Sequence, residues 1–218
     1  MPKIIRDTTG KFRQRPHYEQ GELDMECEKI VCEFLRSLYG KIEFPIATDD
    51  ITKLIEKHTS DFDQYADLSE YGENVEGLTE FFPKSKPKVS ISARLSEASN
   101  YENRFRTTMT HELGHVIFHD YLYKMELIET GAVSIQICKR DDIISKSKYA
   151  GARDWMEWQA GYACGAFLMP ASHLKRTVDN FLATNGSDTD GLIDTVVTRF
   201  QVSRDAARVR LSVTNHLK

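Results

Sequence analysis

The pentapeptide His111-Glu112-Leu113-Gly114-His115 constrains this chain more than any other feature, because its spacing makes chemical sense on a helix. Residues four apart stand roughly 40° apart around an α-helix and about 6 Å apart along it, so both imidazoles can reach one tetrahedral ion. Glu112 then lies beside the ion without sharing it. A carboxylate in that place can take a proton from a water at the open fourth position and later deliver it to the leaving amine of a cleaved amide. The expected cofactor is therefore Zn2+, with His111 and His115 as metal ligands and Glu112 as the catalytic base.

Shuffling 7 His and 17 Glu through 218 residues would produce this pattern in roughly one chain in fifty, so its context decides. Val116, Ile117 and Phe118 continue an apolar helix, and Leu113 with Gly114 supplies an apolar back and a close-packing position. A third ligand is still needed. His119 would stand about 12 Å along the axis from His111, farther than three side chains of one straight helix readily converge. No glycine follows Gly114 until Gly131 to break that helix, so His119 reads as a support for the ligands. The run from Asp154 to Pro170 reads as a second helix, capped by Asp154 and stopped by Pro170, with Glu157 near its start. Ala160, Gly161 and Cys164 would let it lie tightly against a neighbour. Two interior glycines cost about 1 kcal/mol each relative to alanine, which argues that close packing is required. Spacing alone leaves Glu157 either a third ligand or a first-turn acid favoured by the helix dipole.

With 218 residues, 40% of them hydrophobic, the chain suits one compact domain plus a small appendage. It has no run of about 18 apolar residues, which excludes the intramembrane zinc proteases that share the pentapeptide. The start, Met1-Pro-Lys-Ile-Ile-Arg6, lacks the apolar core of a signal peptide, and cysteines 27, 32, 138 and 164 form no C-x-x-C pair. Reduced thiols and a cytoplasmic location are expected. A net charge of -4 and a pI near 6.0 give no general basic footprint for nucleic acid.

Residues 1–21 are polar and basic and read as a flexible lead. From Glu22 to Tyr39, Leu23, Cys27, Ile30, Val31, Phe34, Leu35 and Leu38 follow helical spacing, and a short helix is expected around Asp50 to His58. Val75 to Phe82, a turn through Pro83 to Pro87, and Lys88 to Ala93 read as a hairpin. If its second strand were the sheet edge, an extended substrate could pair with it. Thr130 to Arg153 reads as a long loop or lid, and Tyr149 or Tyr101 is the candidate to steady an oxyanion. Leu192 to Leu211 reads as helix, tight turn and helix capped by Ser203. Arg204, Arg208 and Arg210 could face phosphates, but without a basic excess the pattern favours packing or partner docking over DNA reading.

Three segments together resemble the ImmA/IrrE-type metallopeptidases: Arg104 to His115 with His119, Glu157 to Pro170, and Pro87-Lys-Val-Ser-Ile-Ser92. In that family the glutamate opening the E-x-[EQ]-A helix is the third zinc ligand, so the resemblance implies that role for Glu157. The family commonly has Asn and Phe where this chain has Gly161 and Ala163, a departure that touches packing and not ligands. The expected fold is α+β. A zincin-like minimal metallopeptidase domain over residues 22–171, with a small β-sheet and ligand-bearing helices, would be followed by a helix-turn-helix-like C-terminal segment, 172–218, packed on it. The resemblance further implies a zinc-dependent endopeptidase that cleaves a partner helix-turn-helix transcriptional repressor, releasing mobile-element or stress genes. That partner is analogy from the family alone. The alternatives are a non-catalytic zinc-containing regulator acting through its C-terminal helices on DNA or a repressor, and a broad aminopeptidase.

Overall fold

The computed structural model describes residues 2–130, 133–139 and 155–217, with side chains 127–130 and 139 left aside. It combines helices with a four-stranded mixed sheet and a two-stranded one. Helix α1 (Gln20–Tyr39) starts with a reciprocal capping box between Glu19 and Glu22 and stops where Gly40 turns into the left-handed region at φ 70. Leu23, Cys27, Val31, Phe34 and Leu35 point inward as the spacing requires, while Leu38 stays exposed. Helix α2 (Thr48–His58) buries Ile51, Leu54 and Ile55.

Strands β3 (Asp61–Ala66), β4 (Val75–Phe81), β5 (Lys88–Ser92) and β6 (Ser134–Lys139) form one sheet in the order β3-β5-β4-β6. The expected hairpin is there, with β4 antiparallel to β5 and Gly77 opposite Ile91. Its second strand is not an edge, however, because β3 pairs parallel to β5 on the far side. Asp61-Phe-Asp-Gln-Tyr-Ala66 alternates too weakly to read as a strand, since it is mostly polar. Among the described residues the outer strands are β3 and β6, the latter inside the segment read as a loop or lid. The remainder of that segment, with Tyr149 and the Asp154 cap, lies outside the described residues.

After the one-turn helix α3 (Ala93–Ser96) comes α4 (Glu102–Thr130), which carries the pentapeptide. It packs against α5 (Trp155–Leu168), whose residues are buried on nearly every side, as befits a central helix. A Cβ on Gly114 would lie 3.0 Å from the Ala160 Cα and 3.2 Å from the Ala160 carbonyl oxygen, so the two backbones touch at this point. Thr110 and Cys164 continue the contact at 3.3 Å. Helices α6 (Ala171–Asn185), α7 (Thr189–Phe200) and α8 (Arg204–Val213) complete the main core, which runs from Leu23 to Leu211. No described helix is long and apolar enough to cross a membrane.

Helices α7 and α8 form the expected helix-turn-helix, with Gln201 left-handed at the turn and the Ser203 side chain accepting from Ala206 N. Of the three arginines that could face phosphates, Arg204, Arg208 and Arg210, two are engaged within the chain. Arg204 pairs with Asp190 and Asp194, and the buried Arg210 bonds Asp24 Oδ1 at 2.6 Å and the Met169 carbonyl at 3.1 Å. A buried arginine deep in α4 does similar work, since Arg106 donates to the Ile46 carbonyl at 2.7 Å and to Phe200 O at 3.4 Å.

The lead expected to be flexible is a hairpin: β1 (Lys3–Arg6) pairs antiparallel with β2 (Gln14–His17). Asp7 holds its turn by accepting from Thr9 N, Thr9 Oγ1 and Phe12 N. Phe12 enters a separate apolar cluster with Phe81, Leu122, Tyr123, Trp155 and Met156, and Arg15 lies over the Trp155 ring. A single aromatic among polar residues carries no periodicity, so this docking leaves no local pattern.

Two outcomes are expected. Gly114→Ala forces α4 and α5 apart and lowers the unfolding free energy by about 1–3 kcal/mol, visible as a lower urea midpoint. An unchanged midpoint would contradict the close approach. Burial pushes the Asp7 carboxyl up, but its bonds from Thr9 and Phe12 and the nearby Arg15 outweigh burial and leave it below its ordinary value. A depressed carboxyl stabilises above its unfolded pKa, roughly 4, and that stabilisation is lost as pH falls through the folded value. Trp155 fluorescence in a Trp158→Phe background should report hairpin loosening in that acid window, and Asp7→Ala should already be loosened at neutral pH.

Candidate metal centre

His111, Glu112, His115 and His119 project from α4 into the protein, each with no exposed surface, and Glu157 comes from the first turn of α5 at 2% exposure. Glu157 precedes Ala160 by three residues and His111 precedes Gly114 by three, so the contact of the two backbones lies one turn from each. Four atoms of three residues that could hold a metal ion meet there. His111 Nε2 and His115 Nε2 are 3.1 Å apart, His111 Nε2 and Glu157 Oε2 3.2 Å, and His115 Nε2 and Glu157 Oε1 3.3 Å. Metal–ligand bonds of 2.0–2.1 Å in a tetrahedron imply edges of about 3.3–3.4 Å, and each of these separations is close to such an edge.

The hydrogen-bond network fixes which nitrogen of His115 faces the triangle. The Gln159 amide reaches the Pro16 carbonyl at 3.5 Å and turns its Oε1 to His119 Nε2 at 3.0 Å. Burial, then the neighbouring His115, hold His119 well below the usual histidine range, so the ring is neutral and carries one proton. That proton sits on Nε2, because Gln159 Oε1 can only accept. His119 Nδ1 therefore accepts, and His115 Nδ1 donates to it across 3.0 Å. His115 Nε2 is left with a lone pair aimed at His111 and Glu157. A lone pair 3.3 Å from a carboxylate oxygen repels it unless a cation lies between, which is the arrangement a metal ion satisfies. His119 thus supports a ligand from behind and does not join the ligand triangle.

Glu112 lies outside the ligand triangle. Its carboxylate is fully buried, and burial raises its pKa despite the opposing influence of His115, His111 and a hydrogen bond from Thr79. Strand β6 closes the neighbourhood. Gln136 Nε2 donates to Glu157 Oε1, and its own Oε1 accepts from Lys11 Nζ at 3.0 Å and Tyr123 at 3.4 Å. Cys138, opposite Gly77 in the sheet, brings its thiol within 4.8 Å of ligand atoms of His111 and Glu112. Gln136, Cys138 and Thr79 carried no signal in the sequence, because each lies on a strand whose pairing is not local, whereas Gln159 occupied the [EQ] position of the E-x-[EQ]-A pattern without a role assigned to it. Tyr101 lies in the 3-10 turn just before α4 and packs, partly buried, against the main core.

The chain matches the family model of Peptidase_M78, described as the IrrE N-terminal-like domain, over residues 82–212. That span contains the ligand triangle and Glu112. No curated protein matches the chain.

Metal titration tests the triangle. Glu157→Ala should weaken metal binding strongly, and His119→Ala, which removes only the support of His115, should weaken it about tenfold to a hundredfold. Unchanged affinity in Glu157→Ala would remove it from the ligand set.

Proposed function

Since the chain belongs to the M78 metallopeptidase family, in keeping with its resemblance to the ImmA/IrrE type, we propose that it is a zinc-dependent endopeptidase. His111, His115 and Glu157 hold the ion in this reading, and Glu112 is the general base. One observation carries it: His111, His115 and Glu157 bring ligand atoms within 3.1–3.3 Å of one another, with a buried carboxylate beside them and outside the set. A structural site closes its coordination with protein ligands and has no use for such a base, whereas a catalytic site keeps three ligands and an open position.

When bound, the ion supplies Lewis acidity towards a carbonyl and a nucleophilic water. Glu112 does the proton work. Its raised pKa makes it a carboxylate able to accept a proton and to give it up again, first from the attacking water and then to the leaving amide nitrogen. Gln159 and His119 hold His115 in the tautomer that presents Nε2 to the ion. Beyond β6 no further described strand pairs, so an extended substrate can add to that edge and be aligned along the centre.

The substrate in this reading is a partner helix-turn-helix transcriptional repressor, cleaved to release mobile-element or stress genes. Helices α7 and α8 then serve as scaffold or docking surface. The rival reading, a non-catalytic regulator on DNA, is weakened because Arg204 and Arg210 are spent on Asp190, Asp194 and Asp24.

The test compares new protein N-termini in a host extract after adding zinc-loaded protein or its Glu112→Gln variant. New termini in one repressor-like protein, made at least about a hundredfold more slowly by the variant, are expected. Equal cleavage by both would overturn the mechanism.

A further inference from the structure

Glu112 belongs to α4, but its carboxylate is seated on β4. Thr79 Oγ1 donates to Glu112 Oε2 across 2.5 Å, within the range of charge-assisted O–H···O− bonds, and both residues are without exposed surface. Gly77 lies two residues earlier, on the same strand. A Cβ there would fall 2.9 Å from Glu112 Cδ and 3.0 Å from Cγ, and closer still to Oε1. The space that any other residue would fill is thus occupied by the carboxylate itself. Glu112 Oε1, in contrast to Oε2, is buried without a hydrogen-bond partner among the described residues. A buried carboxylate oxygen left this way is costly, and such exceptions call for a role.

We infer that Gly77 and Thr79 are positioning residues that orient the base: Thr79 anchors Oε2, Gly77 clears the volume, and Oε1 remains as the oxygen that exchanges the proton. The inference rests on the reading of Glu112 as the base. Neither residue touches the ligand triangle through a hydrogen bond, so their loss should leave the metal in place and misdirect the carboxylate. Threonine is suited to this because its hydroxyl has one proton to give and its branched carbon restricts the rotamer. Serine keeps the donor, and valine keeps the shape without it.

The experiment uses the full zinc-loaded chain and acetohydroxamic acid, a small metal-directed probe whose acidic proton must be taken up by the base when it binds. Metal affinity and probe affinity are both measured by calorimetry for wild type, Glu112→Gln, Thr79→Val, Thr79→Ser and Gly77→Ala. Thr79→Val should keep its metal affinity and bind the probe about tenfold to a hundredfold more weakly, the loss of one charge-assisted bond. Thr79→Ser should recover most of it. Gly77→Ala, if it folds, should behave like Thr79→Val. Unchanged probe affinity in Thr79→Val beside a clear loss in Glu112→Gln overturns the seat and leaves the base reading intact. Lost metal affinity in Thr79→Val also overturns it, because the effect would then lie in the ligands. An undiminished probe affinity in Glu112→Gln removes the base reading itself.

Discussion

The contact of Gly114 with Ala160 is the constraint on which this molecule depends. Two helices cross with an axis separation small enough for backbone to meet backbone, and only a glycine on one side and a small residue on the other permit it. One turn away on each helix stand His111 and Glu157. Had the crossing been held apart by larger side chains, the carboxylate of α5 would fall short of the imidazoles of α4, whose ligand atoms it meets at 3.2 and 3.3 Å. The price of glycine within a helix, about 1 kcal/mol, is small beside what a tetrahedral site requires in placement.

Around that crossing, polar groups are buried in pairs and chains. Glu76, at 1% exposure, is held by Arg94 at 2.9 Å and Arg104 at 2.7 Å, which ties β4 to the start of α4. Arg106 fastens α4 to the approach to α2 and the end of α7, and Arg210 fastens α8 to α1. These bonds fix helix and strand positions in a way that apolar packing alone leaves slack. The Gln159–His119–His115 chain extends the same logic to the centre, where a tautomer has to be chosen.

The sequence made the α4 part of the site legible because helical spacing is local: His111, Glu112 and His115 can be put side by side from their numbers alone. Glu157 was legible as the opening acid of a helix, and the family resemblance was needed to give it a role. Non-local choices were not legible. The weakly alternating β3 concealed the fact that β5 is internal, so that among the described residues β3 and β6 are the outer strands. Phe12 helps to dock the hairpin, with Asp7 closing its turn, and neither residue carries periodicity. Thr79 and Gly77 read as ordinary strand residues until β4 is seen against Glu112.

Zinc K-edge X-ray absorption of the zinc-loaded chain tests the central claim most directly, because it reads the atoms that the crossing of α4 and α5 brings together. A first shell of two imidazole nitrogens with carboxylate oxygen and no sulfur is expected. A third imidazole would put His119 on the metal, and a sulfur shell would put Cys138 there. Either would contradict a centre built from His111, His115 and Glu157.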